Sequence, residues 1–330
     1  MIWHNAMLDL LIAIISFCIG VLLLYKGSDI LVEGTTHVAA QFGVSSLIIS
    51  VIIVAFGTSA PEFAISVGAA AQEYAGLVKS GAAISLGNII GSCIANFLLV
   101  IGISAIIKPI KIKKGIIKRE MPIVVLVTFV LLVFVLINLL DAYHLMGGFL
   151  FLIFFVIFIW YFIQCAKRER IKTDKYEKGT SIKNGIYIVG GIIGVVLGAW
   201  FLIESAITIA DFLGIPALII SLSMVAIGTS LPELVVSAMA SYRNKSDIAI
   251  GNVLGSNVFN ILLILGAAAL FIPLKTYESI NHIILLMIIT LVMVPVLYIN
   301  NEITRRKGIF LIIIYGLFIW YTFSAPSILI

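Results

Sequence analysis

Apolar residues run along the chain in long blocks separated by short polar breaks. Ten blocks can be marked, at residues 8–41, 45–72, 80–107, 121–140, 146–166, 185–212, 216–243, 246–272, 281–300 and 308–329. About 20 consecutive apolar residues cross a bilayer as a helix, so each block is read as one span. The first and sixth exceed what a bilayer needs and are expected to be tilted or broken. No polar stretch is large enough for a separate soluble domain. The expected fold is therefore one all-α membrane domain of ten transmembrane helices.

Composition agrees with this pattern. Of the 330 residues 62% are hydrophobic and 11% charged, whereas soluble domains carry about 25% charged residues. The placement of Lys and Arg tests the span count. Breaks after spans 3, 5, 7 and 9, with the turn after span 1, share one side and hold eighteen of the twenty-one basic residues. They include Lys108, Lys111, Arg119, Lys167, Lys183, Arg243, Lys245 and Arg305. Lys79 and Lys275 fall on the other side, and Lys26 lies within span 1. Such a bias marks the cytoplasmic face, so the protein is expected in the cell membrane with both termini outside. The net charge of +5 then belongs to orientation, not to nucleic-acid binding. Met1–Leu10 has no basic n-region, and the first block is read as a span, not a removable signal. Cys18, Cys93 and Cys165 sit in or beside apolar blocks with no disulfide or metal spacing.

The chain also repeats itself. Gly27–Ala70 aligns with Gly198–Ser241 at a constant offset of 171. Leu-Ile-Ile-Ser occurs at 47–50 and again at 218–221. Gly57-Thr58-Ser59-Ala60-Pro61-Glu62 returns as Gly228-Thr229-Ser230-Leu231-Pro232-Glu233. A second block follows each: Gly87-Asn88 through Asn96, and Gly251-Asn252 through Asn260. The reading is of two five-helix repeats, 1–166 and 185–330, joined by a cytoplasmic linker at 167–184. Five spans per repeat turn the second repeat upside down, an arrangement that places a substrate site near the midplane.

Glu62 and Glu233 are the candidate chemistry. An ionisable group at mid-membrane costs about 2.5–3.5 kcal/mol and normally faces a pathway or a partner. No Lys or Arg lies near either in sequence, nor in spans 3 or 8. Pro61 and Pro232 cannot donate a backbone hydrogen bond, and Gly57 and Gly228 loosen the same turn. Carbonyls near Ala55 and Thr58, and near Ala226 and Thr229, are expected to leave the helix ladder. Thr58, Ser59, Thr229 and Ser230 add hydroxyls, while Asn96 and Asn260 add amide oxygens. Calcium takes 6–8 oxygen ligands of this kind, whereas zinc or copper prefers His or Cys. Gly87, Gly91, Gly251 and Gly255 read as close-packing positions.

The paired GTSxPE and GNxxGSxxxN blocks resemble the alpha repeats of the sodium/calcium exchanger family, over nearly the whole chain. The proton-coupled branch of the same superfamily carries a different glutamate motif. The resemblance implies ion ligation by Glu62, Glu233, Asn96 and Asn260, by Thr58, Ser59, Thr229 and Ser230, by the carbonyls of Ala55 and Ala226, and by Ser92 and Ser256. It implies Ca²⁺ and Na⁺ as transported substrates in a ratio that moves net charge; no cofactor is expected, and the lipid bilayer rather than a nucleic acid is the expected partner. A monomer suffices for this reading. Potassium-dependent relatives have aspartate where this chain has Asn260, which argues against potassium co-transport.

Two other functions stay open at this point: exchange of Ca²⁺ or another divalent cation for H⁺, since glutamates also carry protons, and a cation channel. A membrane-embedded hydrolase would need a nucleophile–base pair or a metal motif, and neither occurs, so no enzyme activity is expected. His4, His37, His144 and His282 share no spacing. Glu33 and Glu204 are repeat-equivalent and stand as either pathway residues or wetted helix positions. Asn244-Lys245-Ser246 matches a glycosylation triplet on the wrong side of the membrane.

Overall fold

The computed structural model describes residues 2–112, 114–168, 181–212 and 228–324. The carbonyl of Ala226, the repeat at 218–221, the start of the seventh apolar block, most of the 167–184 linker and the tail of the last block lie outside the described residues. Among the described residues, eleven α-helical segments follow in order: α1 (Ile2–Phe42), α2 (Ser46–Thr58), α3 (Ala60–Tyr74), α4 (Gly81–Ile107), α5 (Lys114–Leu136), α6 (His144–Arg168), α7 (Ser181–Phe212), α8 (Leu231–Tyr242), α9 (Ser246–Ala269), α10 (Ile280–Tyr298) and α11 (Arg305–Ser324). Seven are long and apolar enough to cross a membrane among the described residues, or eight with α2 and α3 taken as one bent span.

The second apolar block is two helices, not one. α2 and α3 meet at Ser59 with a bend of 49°. Proline explains where α3 starts: Pro61 sits in its first turn, where a missing N–H costs nothing. α8 begins in the same way, with Pro232 in its first turn. Wider π-helical turns interrupt α2 at Ser50–Val54, α4 at Asn96–Val100 and α9 at Phe259–Leu265. Such turns are rare and often accompany functional sites. A two-residue antiparallel pair, β1 (Ile110–Lys111) with β2 (Glu302–Ile303), also joins two polar breaks. The hydropathy pattern did not anticipate it, because two residues are too few to carry a period.

α4 and α9 form the centre. Their apolar windows are 78% and 94% buried, against 22% and 28% for α1 and α7. α1 lies along α7 on the flank, held by backbone contact. A Cβ on Gly20 would stand 2.9 Å from the Gly198 carbonyl oxygen, and one on Gly191 2.7 Å from the Leu31 Cβ. Large apolar side chains, among them Leu22, Ile157, Trp160 and Trp320, cover the outside. That surface suits lipid and would be insoluble in water.

The polar breaks fall into two sets that touch only within themselves among the recorded contacts. One cavity of about 800 Å³ is lined by the α1–α2 turn, the segment after α4, the α8–α9 turn and Glu302 after α10. The other set meets elsewhere: Asp141 after α5 accepts the Thr276 N–H at 2.9 Å, and Lys275 lies 3.9 Å from Glu73 at the end of α3.

Candidate cation site

Glu62 and Glu233 stand in the first turns of α3 and α8, and both are fully buried. The N-terminal end of a helix carries partial positive charge, which favours a carboxylate there. The preceding serines, Ser59 and Ser230, have nearly the same backbone, with φ/ψ of −82/9 and −85/4. Neither caps its own helix. Ser59 donates instead across the site to Glu233 Oε1 at 2.9 Å.

Two asparagines build the surrounding frame. Asn88 of α4 donates through Nδ2 to the Glu62 carbonyl at 3.4 Å and to Ser66 Oγ at 2.9 Å. Its Oδ1 accepts the Thr229 hydroxyl at 3.2 Å. Asn252 of α9 donates to the Glu233 carbonyl at 3.3 Å and to Ser237 Oγ at 3.1 Å. Its Oδ1 accepts the Thr58 hydroxyl at 3.1 Å. Each asparagine thus fixes one glutamate-bearing turn and reaches the threonine of the opposite repeat. Neither was singled out in the sequence, although both follow the first glycine of the second block. Identical residue type at repeat-equivalent positions was the available signal.

Further hydroxyls complete the wall. Ser92 lies 3.5 Å from Glu62 Oε1 and 3.3 Å from the Thr229 hydroxyl. Ser256 donates to Glu233 Oε1 at 3.3 Å. Asn96, at the start of the α4 π turn, donates Nδ2 to Asn257 Oδ1 at 3.0 Å, which leaves its own Oδ1 free. Asn260 is fully buried in the α9 π turn with neither amide atom paired. Glu62 Oε2, Glu233 Oε2 and the Ser230 hydroxyl are likewise buried without a partner.

Buried polar atoms left unpaired are costly. Five oxygens in this state, two of them carboxylate, lie around one crossing of helices, and among the described residues neither glutamate meets a Lys, Arg or His. A desolvated cation with high oxygen coordination satisfies such a set. Thr58, Ser59, Ser92, Thr229, Ser230 and Ser256 all border this place, with Asn96 and Asn260. The Ala55 carbonyl differs from expectation. It accepts the Ser59 N–H at 3.0 Å and lies 3.3 Å from the Thr58 hydroxyl. Pro61 removes the donor to the carbonyl four residues back, that of Gly57, so the Ala55 carbonyl stays in the ladder. The close-packing glycines are half accounted for. Gly251 and Gly255 lie on α2, at Leu47 and at Val51 and Ala55, while Gly87 and Gly91 meet nothing close among the described residues. Glu33 is half-buried on α1 and Glu204 exposed on α7. His282 is buried on α10, away from this set, and the three cysteines are free.

The model of the family described as sodium/calcium exchanger protein matches residues 12–164 and 183–324. A protein named sodium/calcium exchanger MaX1, from Methanosarcina acetivorans, is 30% identical over 91% of this chain and 95% of its own length. An uncharacterized membrane protein, MJ0091 of Methanocaldococcus jannaschii, is 34% identical over 91% of this chain and 94% of its own. A solved structure of the sodium-calcium exchanger NCX_Mj superposes with a TM-score of 0.80 at 32% identity, covering 93% of this chain and 98% of that one. The matched family is one of transporters, and this chain belongs to the sodium/calcium exchanger family.

Proposed function

We propose that this chain is a secondary antiporter that exchanges Ca²⁺ for Na⁺ by alternating access at the site between Glu62 and Glu233. The observation that carries this is the pair of buried carboxylates, each with an unpaired oxygen, in matching surroundings and with no cationic side chain recorded against them. Two carboxylates neutralise one Ca²⁺. The same site filled by several Na⁺ would carry excess positive charge, so exchange at such a ratio moves net charge. Ligands are Glu62, Glu233, the Asn96 oxygen, Asn260 and the serine and threonine hydroxyls, with the Ala226 carbonyl outside the described residues.

The chain is read as ten spans in two inverted five-helix repeats, with both termini outside and the basic breaks inside. Supporting this, four of the five breaks assigned to the inside by charge line one shared cavity, and the described breaks assigned to the outside contact one another, while most of 167–184 lies outside the described residues. The α1–α7 pair is the moving part. It flanks a buried core, touches α7 to α1 through glycine backbone, and can slide without unpacking α4 and α9.

Counter-ion dependence tests the proposal. Proteoliposomes loaded with Na⁺ should take up Ca²⁺ into the lumen when external Na⁺ is absent, in potassium-free buffer, and should stop when the Na⁺ gradient is removed. Equal uptake driven by a proton gradient without Na⁺ would replace this reading by Ca²⁺/H⁺ exchange. Uptake with no counter-ion would indicate a channel.

A further inference from the structure

A groove of about 460 Å³ opens on the outer face of the bundle between α1 and α8. Val21, Leu24 and Tyr25 form one wall, and Leu234, Met239 and Tyr242 the other. The lining is almost wholly apolar and also includes Ala238 of α8, Leu202 of α7 and Ile107 of α4. Water would wet such a groove poorly, and in a bilayer its neighbour is hydrocarbon.

One end of the groove is charged. Tyr25, Tyr242 and Ile107, which line it, are each followed in sequence by a basic residue, Lys26, Arg243 and Lys108. The Lys26 ammonium lies 5.6 Å from the Tyr25 ring centroid, so it sits over the groove wall. Arg243 forms an ion pair with Asp29 of α1 while its side chain remains 41% exposed. A guanidinium has five donors, and one carboxylate leaves several of them for a second anion. Tyr25 and Tyr242 are 52% and 67% exposed, and amphipathic rings of this kind favour the headgroup level of a bilayer.

We propose that this groove holds one acyl chain of an anionic phospholipid, with its headgroup phosphate on Lys26 and Arg243. The assignment to the inner leaflet rests on the orientation proposed above, and anionic lipid is abundant on that face. A chain wedged here touches α1 on one side and α8 on the other. It would therefore tie the flanking helix to the half of the site that carries Glu233.

Native mass spectrometry of the detergent-purified protein, titrated separately with phosphatidylglycerol and phosphatidylcholine, tests this without any transport measurement. The expected result is one retained phosphatidylglycerol, held at least tenfold better than phosphatidylcholine. Ala238→Trp, which puts a bulky ring in place of a small lining residue, should abolish retention of the bound lipid. Lys26→Gln with Arg243→Gln should erase the preference for the anionic lipid. Lys26→Gln alone, an exposed change with no packing cost, should reduce it several-fold. Equal retention of both lipids by the wild type would overturn the proposal, as would Ala238→Trp protein that keeps phosphatidylglycerol unchanged. Loss of Na⁺-coupled uptake with lipid retention intact would instead count against the exchange reading alone.

Discussion

Asn88 and Asn252 do the same work in the two halves of the site. Each ties down the carbonyl of its own glutamate, grips a serine one turn on, and receives the threonine hydroxyl of the other half. Even the next contact matches, since Ser66 reaches the Ser85 carbonyl and Ser237 that of Ala249, each at 3.4 Å. Five residues beyond each asparagine the halves part. Cys93 stands in α4 where α9 has Asn257, and Asn257 alone carries an amide that fixes Asn96. Its Nδ2 also lies 3.5 Å from the Cys93 carbonyl. The frame of the site is therefore symmetric and its inner wall is not. Asn96 presents a set oxygen, while neither amide atom of Asn260 is paired.

The largest expected effect breaks the symmetric pair. Glu62→Gln and Glu233→Gln each keep size and remove one charge, leaving a single carboxylate to offset Ca²⁺ dehydration. Na⁺-driven ⁴⁵Ca²⁺ uptake should fall by two orders of magnitude or more in each, with the protein still monodisperse after purification. Near wild-type exchange by either variant would end the mechanism.

Smaller effects come from the frame. Asn88→Ala and Asn252→Ala each remove three hydrogen bonds that hold a glutamate-bearing turn, at about 1 kcal/mol for each bond. Uptake should drop roughly tenfold or more, and by similar factors in the two variants. A strong effect in one and none in the other would show that the symmetry is only geometric. The smallest effects should be unequal. Asn257→Ala frees Asn96 and should weaken uptake by a few-fold, in line with about 1 kcal/mol for one hydrogen bond. Cys93→Ala loses a long sulfur contact of 4.0 Å to the Asn257 carbonyl and should have the smaller effect of the two. Equal losses would contradict the asymmetric wall.

Much of this was legible in the chain itself. Spans show in hydropathy because each must be apolar along its length. The glutamates show because a carboxylate inside such a span is costly, and because the same six-residue motif occurs twice. What escaped depends on which atom meets which. Asn88 and Asn252 were visible as letters of a repeated block, yet their service to the opposite half needs α4 and α9 in place. Pro61 was read as freeing the Ala55 carbonyl, whereas the chain starts a new helix at Ala60 and leaves that bond intact. The β1–β2 pair joins segments nearly two hundred residues apart, and no local pattern announces it.

Calorimetric titration of Ca²⁺ into the purified protein without Na⁺ tests the central claim, that both glutamates serve one shared site. One Ca²⁺ per chain is expected for the wild type, with no measurable binding by Glu62→Gln or by Glu233→Gln. Two Ca²⁺ per chain, with each single variant keeping one at undiminished affinity, would mean two separate sites and would contradict the account.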